Sequence, residues 1–280
     1  MILVSISYLA ISLLVFFSFV ELQKPILEDK KLISHAMGEV DGFYYTNSLE
    51  AFENSYFNKG SKIFEVDMEL TKEEILVARH DWGLIYAKQL MQTPETQIDH
   101  EPWTHEYFMN QPINKNYTPL DIDGIIQLLK EYPDISIVTD TKHTEPLMIA
   151  KQFSRMVEAA EYDQDILSRI IPQIYNQEMF SVINNIYQFD HVIYTLYMSP
   201  DSDEEVLQFV SEHLEQISAV TLHTSRVSEV FVNQLHQLNL YVYTHPIFEL
   251  EEALYYAELG VDGFYTGSLS NKELEMIKTD

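Results

Sequence analysis

The feature that most constrains the fold is an alternation between short runs rich in β-branched residues and longer stretches with helical spacing. Eight runs are predicted as strands: residues 32–34, 62–68, 135–139, 170–175, 191–196, 219–223, 240–244 and 263–266. Such alternation predicts a parallel sheet with crossover helices, and eight strands close a barrel. A chain of 280 residues can build one such domain. The sequence therefore predicts an α/β fold, a (β/α)8 TIM barrel over residues 30–280.

Polar side chains stand where several of these strands end. His35 follows the first run, Glu65 and Asp67 close the second, and His80 follows a short extra run, residues 75–78, that turns back from the second strand. Because the carboxyl ends of parallel strands meet at one edge, these side chains should gather there. Histidines titrate near neutral pH, so this edge suits acid–base chemistry on a phosphate ester beside a hard metal ion.

The carboxylates form a candidate metal site. Glu65 and Asp67 are two residues apart and share one strand face. With Asp140 from the next barrel strand they offer three oxygen ligands, a set suited to one divalent cation, Mg²⁺ or Ca²⁺. Lys142 shares the face of Asp140 and can offer positive charge to a phosphate oxygen.

These motifs resemble those of the glycerophosphodiester phosphodiesterase family, which carries His-Arg-Gly, Glu-x-Asp and His-Asp in this order. Residues 35–38, 65–67 and 80–81 read His-Ala-Met-Gly, Glu-Val-Asp and His-Asp. Residues 46–52 are similar to the family's Glu-Asn-Thr-Leu-Glu-Ala-Phe helix start, 140–142 stand where it has Glu-x-Lys, and 260–266 are similar to its closing strand. The resemblance spans residues 32–268, and six motifs in the right order make it specific.

The resemblance implies hydrolysis of a glycerophosphodiester, or of a related lipid or envelope phosphodiester, by two-histidine acid–base catalysis. It implies His35 as base or nucleophile and His80 as acid, with the order of the two roles open. Asn47 is implied to hydrogen-bond near the metal. Gln173 is a candidate for substrate binding, as is Tyr243, which stands where the family often has tryptophan. Further strand-end candidates are Tyr175, Tyr197, His223 and His245.

Three positions depart from the family pattern. Ala36 replaces the arginine expected to hold phosphate, Thr46 replaces a glutamate, and Asp140 replaces the third glutamate ligand. Arg79 is not expected to substitute for the missing arginine, because strand alternation points it away from His80.

Two alternative functions stay open. The aspartate at position 140 resembles the related sphingomyelinase D-type phospholipases and favours a phospholipase D-like lyase that forms a cyclic phosphate. An inactive barrel acting as a binding module is the other alternative. The retention of both histidines and all three carboxylates argues against it.

Residues 82–118 interrupt the alternation as an insertion after strand 2. In a barrel such a segment lies over the active face, where loops decide specificity. Its aromatic residues, Trp82, Trp103, Tyr107 and Phe108, are expected to cover a lipid or sugar head group. A plain surface excursion is the alternative.

The first 22 residues are predicted to be a signal or membrane anchor. Residues 2–20 are an almost unbroken apolar run without charge, about long enough to cross a bilayer. The prediction is a membrane-anchored or secreted protein of the cell envelope, associated with the membrane through residues 2–20. Lys24, Lys30 and Lys31 lie just after the run, against ordinary export, so the orientation is open.

Charge and cysteine content exclude several function classes. The formal net charge is −27, which excludes nucleic acid as a partner because its binding needs Lys and Arg to displace counterions. The sequence has no cysteine, so disulfides, thiolate catalysis and cysteine-ligated zinc are excluded. The expected partner is a small phosphodiester or a phospholipid head group, held by a local cation.

Overall fold

The structure, a computed structural model, describes residues 26–197 and 199–277. All eight predicted barrel strands are present, with ends shifted by no more than two residues, and the extra strand after the second is confirmed. The strands are β1 (Leu32–Ser34), β2 (Ile63–Leu70), β3 (Leu76–Ala78), β4 (Ser136–Asp140), β5 (Ile170–Ile174), β6 (Val192–Thr195), β7 (Ile217–His223), β8 (Tyr241–His245) and β9 (Gly263–Thr266).

Eight of these strands form a closed parallel barrel. The hydrogen-bonded order is β1-β9-β8-β7-β6-β5-β4-β2, and a further pairing of β1 with β2 closes the ring. β3 lies outside this ring and pairs with β2, antiparallel, with Met68 opposite Ala78. On its other side, Val77 forms a single isolated bridge with Asp121. The predicted (β/α)8 barrel is therefore confirmed.

Helices connect the strands on the outside of the barrel. They are α1 (Leu49–Phe57), α2 (Leu84–Gln89), α3 (His105–Met109), α4 (Ile122–Glu131), α5 (Pro146–Ala159), α6 (Gln164–Leu167), α7 (Gln177–Asn184), α8 (Asp203–Ser211), α9 (Glu229–His236), α10 (Leu250–Glu258) and α11 (Asn271–Glu275). Short 3₁₀ turns span His35–Met37 and Thr224–Arg226. In α5, Ile149, Phe153 and Val157 are buried at a spacing of four residues, so one face packs on the barrel.

The barrel interior is a separate apolar core from the layer between strands and helices. It contains Ile33, Ile63, Val138, Ile171 and Ile193, which are almost completely buried. Alternate strand residues point inward and fill the space, as in other barrels of this size. Polar side chains that face inward are therefore concentrated where the strands end.

The insertion at residues 82–118 folds around a small core of its own. Val77, Trp82, Ala87, Trp103 and Phe108 form this core, and Tyr107 packs against it. Trp82, Trp103 and Phe108 are at most 4% exposed. The expectation that these three side chains cover a head group is therefore wrong, because they are buried against one another.

The hydrophobic segment predicted at residues 1–22 lies outside the described residues. Within residues 26–197 and 199–277, no helix combines the length and the hydropathy needed to span a bilayer.

Candidate active site

Three buried carboxylates meet where β2 and β4 end. The register of these parallel strands places Asp67 opposite Asp140, and Glu65 points to the same face two residues earlier. One oxygen from each of Glu65, Asp67 and Asp140 lies within 4.8 Å of the others. The structure thus brings together the three residues predicted as metal ligands.

The charge of this carboxylate cluster is strongly perturbed. Burial raises the pKa of Glu65 well above its usual value, and Asp67 and Asp140 add to the effect. Burial also acts upward on Asp67, but the positive charge of Lys142 and the nearby histidines outweighs it and lowers the pKa to about 2. Glu65 Oε1 is buried and has no hydrogen-bond partner among the described residues. An orphaned carboxylate oxygen beside two others fits a hard cation such as Mg²⁺ or Ca²⁺.

Lys142 places its ammonium between two of these carboxylates. Its Nζ lies 2.8 Å from Asp67 Oδ1 and 2.7 Å from Asp140 Oδ2. Burial alone would lower the pKa of Lys142, but Asp67 and Asp140 together raise it. Lys142 shares the face of Asp140 as predicted. Its ammonium pairs with the carboxylates of Asp67 and Asp140.

His35 lies directly beside the cluster, at the start of the turn that follows β1. Its Nε2 is 3.8 Å from Glu65 Oε2, which also accepts the Ala36 N–H at 2.6 Å. Burial lowers the pKa of His35, although Asp67 opposes the shift. The imidazole is therefore held in its neutral form, which can accept a proton.

Asn47 fixes the position of Asp67 through two hydrogen bonds. Its Nδ2 donates to Asp67 Oδ2 at 2.8 Å, and the Asp67 N–H donates to Asn47 Oδ1 at 3.0 Å. Asn47 has a φ of 49°, a left-handed conformation that asparagine tolerates better than most residues. Its contact with a carboxylate of the cluster is consistent with the place near the metal that the resemblance implied.

His80 follows β3 by two residues and lies near enough to the cluster for its charge to act on Asp67. Its Nδ1 lies 2.8 Å from Asp81 Oδ2, so Nε2 is the nitrogen available to a substrate. Tyr45 lies between the two histidine rings, with centroids 5.1 Å from His35 and 6.2 Å from His80. The Arg79 N–H donates to the Asp67 carbonyl at 2.9 Å, which joins this segment to β2. Two imidazoles therefore flank the three carboxylates.

Two cavities adjoin this constellation. A small one of about 40 Å³ is lined by His35, Glu65, Asp140, Gln173, Tyr175, Thr195, Tyr197, His245 and Tyr265. A larger one of about 420 Å³ is lined by Tyr45, His80, Asp81, Gly83, Ile85, Tyr86, Gln89, Asp99 and His100. Residues of the insertion form most of the wall of the larger cavity. His35 therefore opens onto the small cavity and His80 onto the larger one.

The sequence matches a model of a known protein family over most of its length. The model of the glycerophosphoryl diester phosphodiesterase family matches residues 40–269. The chain belongs to this family. It is therefore a phosphoric diester hydrolase by membership, as the resemblance implied. No curated protein matches this sequence.

Solved structures related to the family share the fold at low sequence identity. A glycerophosphodiester phosphodiesterase from Parabacteroides distasonis has a TM-score of 0.68 at 16% identity, over 88% of this chain and 96% of its own. An Oleispira antarctica phosphodiesterase, solved with the product sn-glycerol-3-phosphate, has a TM-score of 0.69 at 15% identity, over 88% and 96%. A Silicibacter pomeroyi protein named for the same activity has a TM-score of 0.71 at 16% identity, over 90% and 97%.

Within this glycerophosphodiester phosphodiesterase fold, the two substrate-binding candidates separate. Gln173 lines the small cavity and accepts a hydrogen bond from the Tyr265 hydroxyl at 2.9 Å. Tyr243 is fully buried in the barrel interior, and its hydroxyl donates to the Lys30 carbonyl at 2.5 Å, ahead of β1. The structure therefore does not bring Tyr243 together with the other predicted site residues.

His245 stands in the cavity on the same strand face, two residues beyond Tyr243. Its Nε2 is buried and unpaired within the described part of the chain, and burial lowers the pKa of this imidazole to about 3. The position of His245 at a strand end had marked it as a candidate. Thr195 and Tyr265 also end strands and were missed. Tyr45 directly precedes the motif at residues 46–52, and nothing in the sequence indicates that it belongs to the site.

The structure also gives a clear setting to the strand-end candidate Tyr175 and to Ala36, which departs from the family pattern. Tyr175, the residue after β5, donates its hydroxyl hydrogen to Asp140 Oδ1 and thereby orients this ligand candidate. Ala36, where the family has arginine, is fully buried with a φ of 49°. Among the described residues that line the small cavity there is no arginine, so Lys142 is the cation closest to the carboxylates.

Proposed function

We propose that this chain is a metal-dependent phosphodiesterase that hydrolyses a glycerophosphodiester, or a related lipid or envelope phosphodiester. The observation that carries the proposal is the set of three buried carboxylates flanked by two histidines at the carboxyl rim of the barrel. Glu65, Asp67 and Asp140 would hold one Mg²⁺ or Ca²⁺ ion, which when bound neutralises charge on the phosphate. The sn-glycerol-3-phosphate bound by the Oleispira antarctica enzyme supports a small substrate of this kind.

His35 is proposed to act on the attacking side. Its imidazole is kept neutral by burial and lies against the carboxylate cluster, so it can take a proton from water or attack phosphorus itself. The small cavity in front of it is lined mainly by hydroxyl and amide groups. These groups suit the half of the substrate that keeps the phosphate, because a polyol needs hydrogen bonds rather than charge.

His80 is proposed to protonate the departing alkoxide. The contact with Asp81 Oδ2 fixes the ring and leaves Nε2 to deliver a proton. The larger cavity opens directly beside His80, and its volume of about 420 Å³ can receive an alcohol. Having the acid next to the roomier cavity supports this order of roles over the reverse.

Lys142 is proposed to contribute the positive charge that the family's arginine would otherwise supply. Its ammonium is already held at the carboxylates, so a phosphate oxygen near the same atoms would gain an ion pair. This arrangement supports phosphate binding without a guanidinium at position 36.

A phospholipase D-like lyase is the second candidate function, favoured by the aspartate at position 140. In that reaction a hydroxyl of the substrate attacks phosphorus, the second alcohol departs and a cyclic phosphate remains. The same two histidines would accept and return the protons. Phosphorus NMR of the product separates a phosphomonoester from a cyclic phosphodiester.

The deciding experiment is a panel of phosphodiesters incubated with the purified full-length protein and Mg²⁺ or Ca²⁺. The proposal expects a phosphomonoester and an alcohol, with no turnover by Glu65→Gln, which keeps the shape of the side chain but weakens the metal site. A cyclic product would establish the lyase. Tight binding of glycerophosphodiesters without any turnover would establish the binding module instead.

Membrane association through residues 2–20 is part of the proposal and rests on the charge-free apolar run in the sequence. A liposome flotation experiment tests it by comparing the full chain with a variant that lacks residues 1–22. Equal flotation of both would contradict the anchor.

A further inference from the structure

Arg79 is a buried charge that has no acidic partner in the part of the chain that the structure describes. Its side chain is 1% exposed, and within the described residues it forms no ion pair with a carboxylate. Instead, the guanidinium carbon lies 4.5 Å from the Trp103 ring centre, 4.8 Å from Trp82 and 5.2 Å from Tyr86. Burial lowers the pKa of Arg79 to about 10, so the group stays protonated at neutral pH. Burying a charge in this way is costly, and the cost calls for an explanation other than packing.

The side-chain hydrogen bonds of Arg79 reach Asp81 and Gln92. Nε donates to the Asp81 carbonyl at 2.6 Å, and Nη1 donates to Gln92 Oε1 at 2.7 Å. Gln92 in turn donates to the Gln111 carbonyl at 2.9 Å. The guanidinium therefore fixes the segment after β3 against Gln92 of the insertion and, through Gln92, against Gln111.

Asp81 passes this constraint on to His80. Its Oδ2 lies 2.8 Å from His80 Nδ1, and its Oδ1 accepts the Gly83 N–H at 2.5 Å. The Arg79 side chain holds the Asp81 backbone, and the Asp81 carboxylate holds the imidazole. A group that delivers a proton gains from such fixed geometry, since small displacements lower the rate strongly.

We propose that Arg79 is a positioning residue that sets the orientation of His80 through Asp81, so that Nε2 faces the departing oxygen of the substrate. The inference rests on the proposed function, because it takes His80 as the acid of a phosphodiester hydrolysis. It predicts that the loss of Arg79 acts on proton delivery rather than on substrate binding.

The kinetic test compares wild type, Arg79→Met, His80→Ala and the double variant on an alkyl phosphodiester and on a nitrophenyl phosphodiester. Methionine fills similar volume without donating to Asp81. Arg79→Met is expected to lower kcat on the alkyl ester by about 10- to 100-fold, part of what a general acid supplies, with little change in KM. The nitrophenyl ester should be much less affected, and Arg79→Met should add no further loss in the His80→Ala background.

Two further variants separate positioning from structure. Arg79→Lys keeps the charge but not the fork, so it should behave like Arg79→Met if the bond to Asp81 matters. The Phe108 ring belongs to the same small core, and its centre lies 5.9 Å from the guanidinium carbon. Phe108→Leu disturbs this core but leaves the Arg79 hydrogen bonds in place. It should lower the melting temperature with kcat retained.

A measurement independent of turnover keeps the inference distinct from the proposed function. Nitrogen NMR of labelled histidine, with His80 assigned from His80→Ala, follows the neutral ring that remains after the imidazolium has given up its Nε2 proton. In the wild type this ring should be a single tautomer that keeps its proton on Nδ1 beside Asp81, and in Arg79→Met it should be a mixture of the two tautomers. Absence of turnover by the wild type would contradict the proposed function alone. An unchanged His80 tautomer, equal losses on both esters, or multiplicative losses in the double variant would each overturn the role of Arg79.

Discussion

The ammonium of Lys142 lies 2.8 Å from the carboxylate of Asp67, close to where a divalent cation would sit. The same nitrogen is 2.7 Å from Asp140 Oδ2. The lysine therefore neutralises part of the carboxylate cluster by itself. A divalent cation that binds to Asp67 and Asp140 must compete with this ammonium, which couples metal binding to the position of Lys142.

Replacing Lys142 by glutamine should lower the stability of the metal-free protein and increase the stabilisation by added metal. The metal-free protein should lose about 3 kcal/mol of unfolding free energy, because buried carboxylates lose their counter-charge. Mg²⁺ or Ca²⁺ should then raise the melting temperature of Lys142→Gln more than that of wild type, while turnover falls. The control is Lys62→Gln, which removes a half-exposed pair with Asp134. Equal metal-induced shifts in wild type and Lys142→Gln would contradict the competition.

The two histidines should differ in their sensitivity to the leaving group. An alkyl alkoxide needs a proton far more than a nitrophenolate does, so His80→Ala should lower turnover of an alkyl phosphodiester by about 100- to 10,000-fold and spare much of the activity on an aryl ester. His35→Ala should damage both. The measurement is kcat/KM on each ester, read as a difference in barrier. The opposite pattern would exchange the two roles.

The larger cavity should favour an alcohol that carries positive charge. Asp81 and Asp99 contribute carboxylates to its walls, and no lysine or arginine of the described chain lines it. A glycerophosphodiester of choline or ethanolamine should therefore have a higher kcat/KM than one of an anionic alcohol. Asp99→Asn should reduce this preference by about threefold, the modest effect expected at a partly exposed site. Asp123→Asn, which removes an exposed charge on α4, is the matched control and should leave the preference unchanged.

His236 should make the folded state more stable at acidic than at alkaline pH. Its Nε2 lies 2.9 Å from Asp262 Oδ2, and this hydrogen bond raises the pKa of His236 although burial opposes it. A raised folded-state pKa means that the stabilisation is complete below the unfolded value of about 6.5 and is lost as pH rises through the folded value. Urea unfolding at about pH 5.5 and about pH 8.5 should show that the unfolding free energy falls more with rising pH for wild type than for His236→Gln. The difference should be less than about 1 kcal/mol, because the side chains of His236 and Asp262 are both about one third exposed. Parallel pH profiles would contradict this assignment.

Much of the fold and of the catalytic constellation can be predicted because strand ends are visible in the sequence. The runs before His35, before Glu65 and before His80 have distinct β-branched character, and the carboxyl rim of a parallel barrel gathers whatever follows them. The placement of Glu65, Asp67 and Asp140 needed only strand alternation and the order of the strands.

The level along the barrel axis at which an inward-facing side chain lies cannot be predicted in the same way. Tyr243 and His245 share one strand face, yet the first reaches the carbonyl of Lys30 and the second lines the site. Alternation identifies the face but not the layer, because the layer depends on how far each strand is staggered against its neighbour. The burial of Arg79 was equally hidden, since arginine is almost never fully buried without an acidic partner.

The position of β3 outside the closed ring has a consequence for heat inactivation. His80 stands between a hairpin strand outside the ring, held by β2 and by one isolated bridge to Asp121, and an insertion that has its own small core, whereas the carboxylates are built into the ring. Such a unit can open cooperatively at a lower free energy than the ring itself. On warming, His80 should therefore lose its place beside the carboxylates reversibly while most of the secondary structure is intact, and activity should recover on cooling without refolding of the barrel.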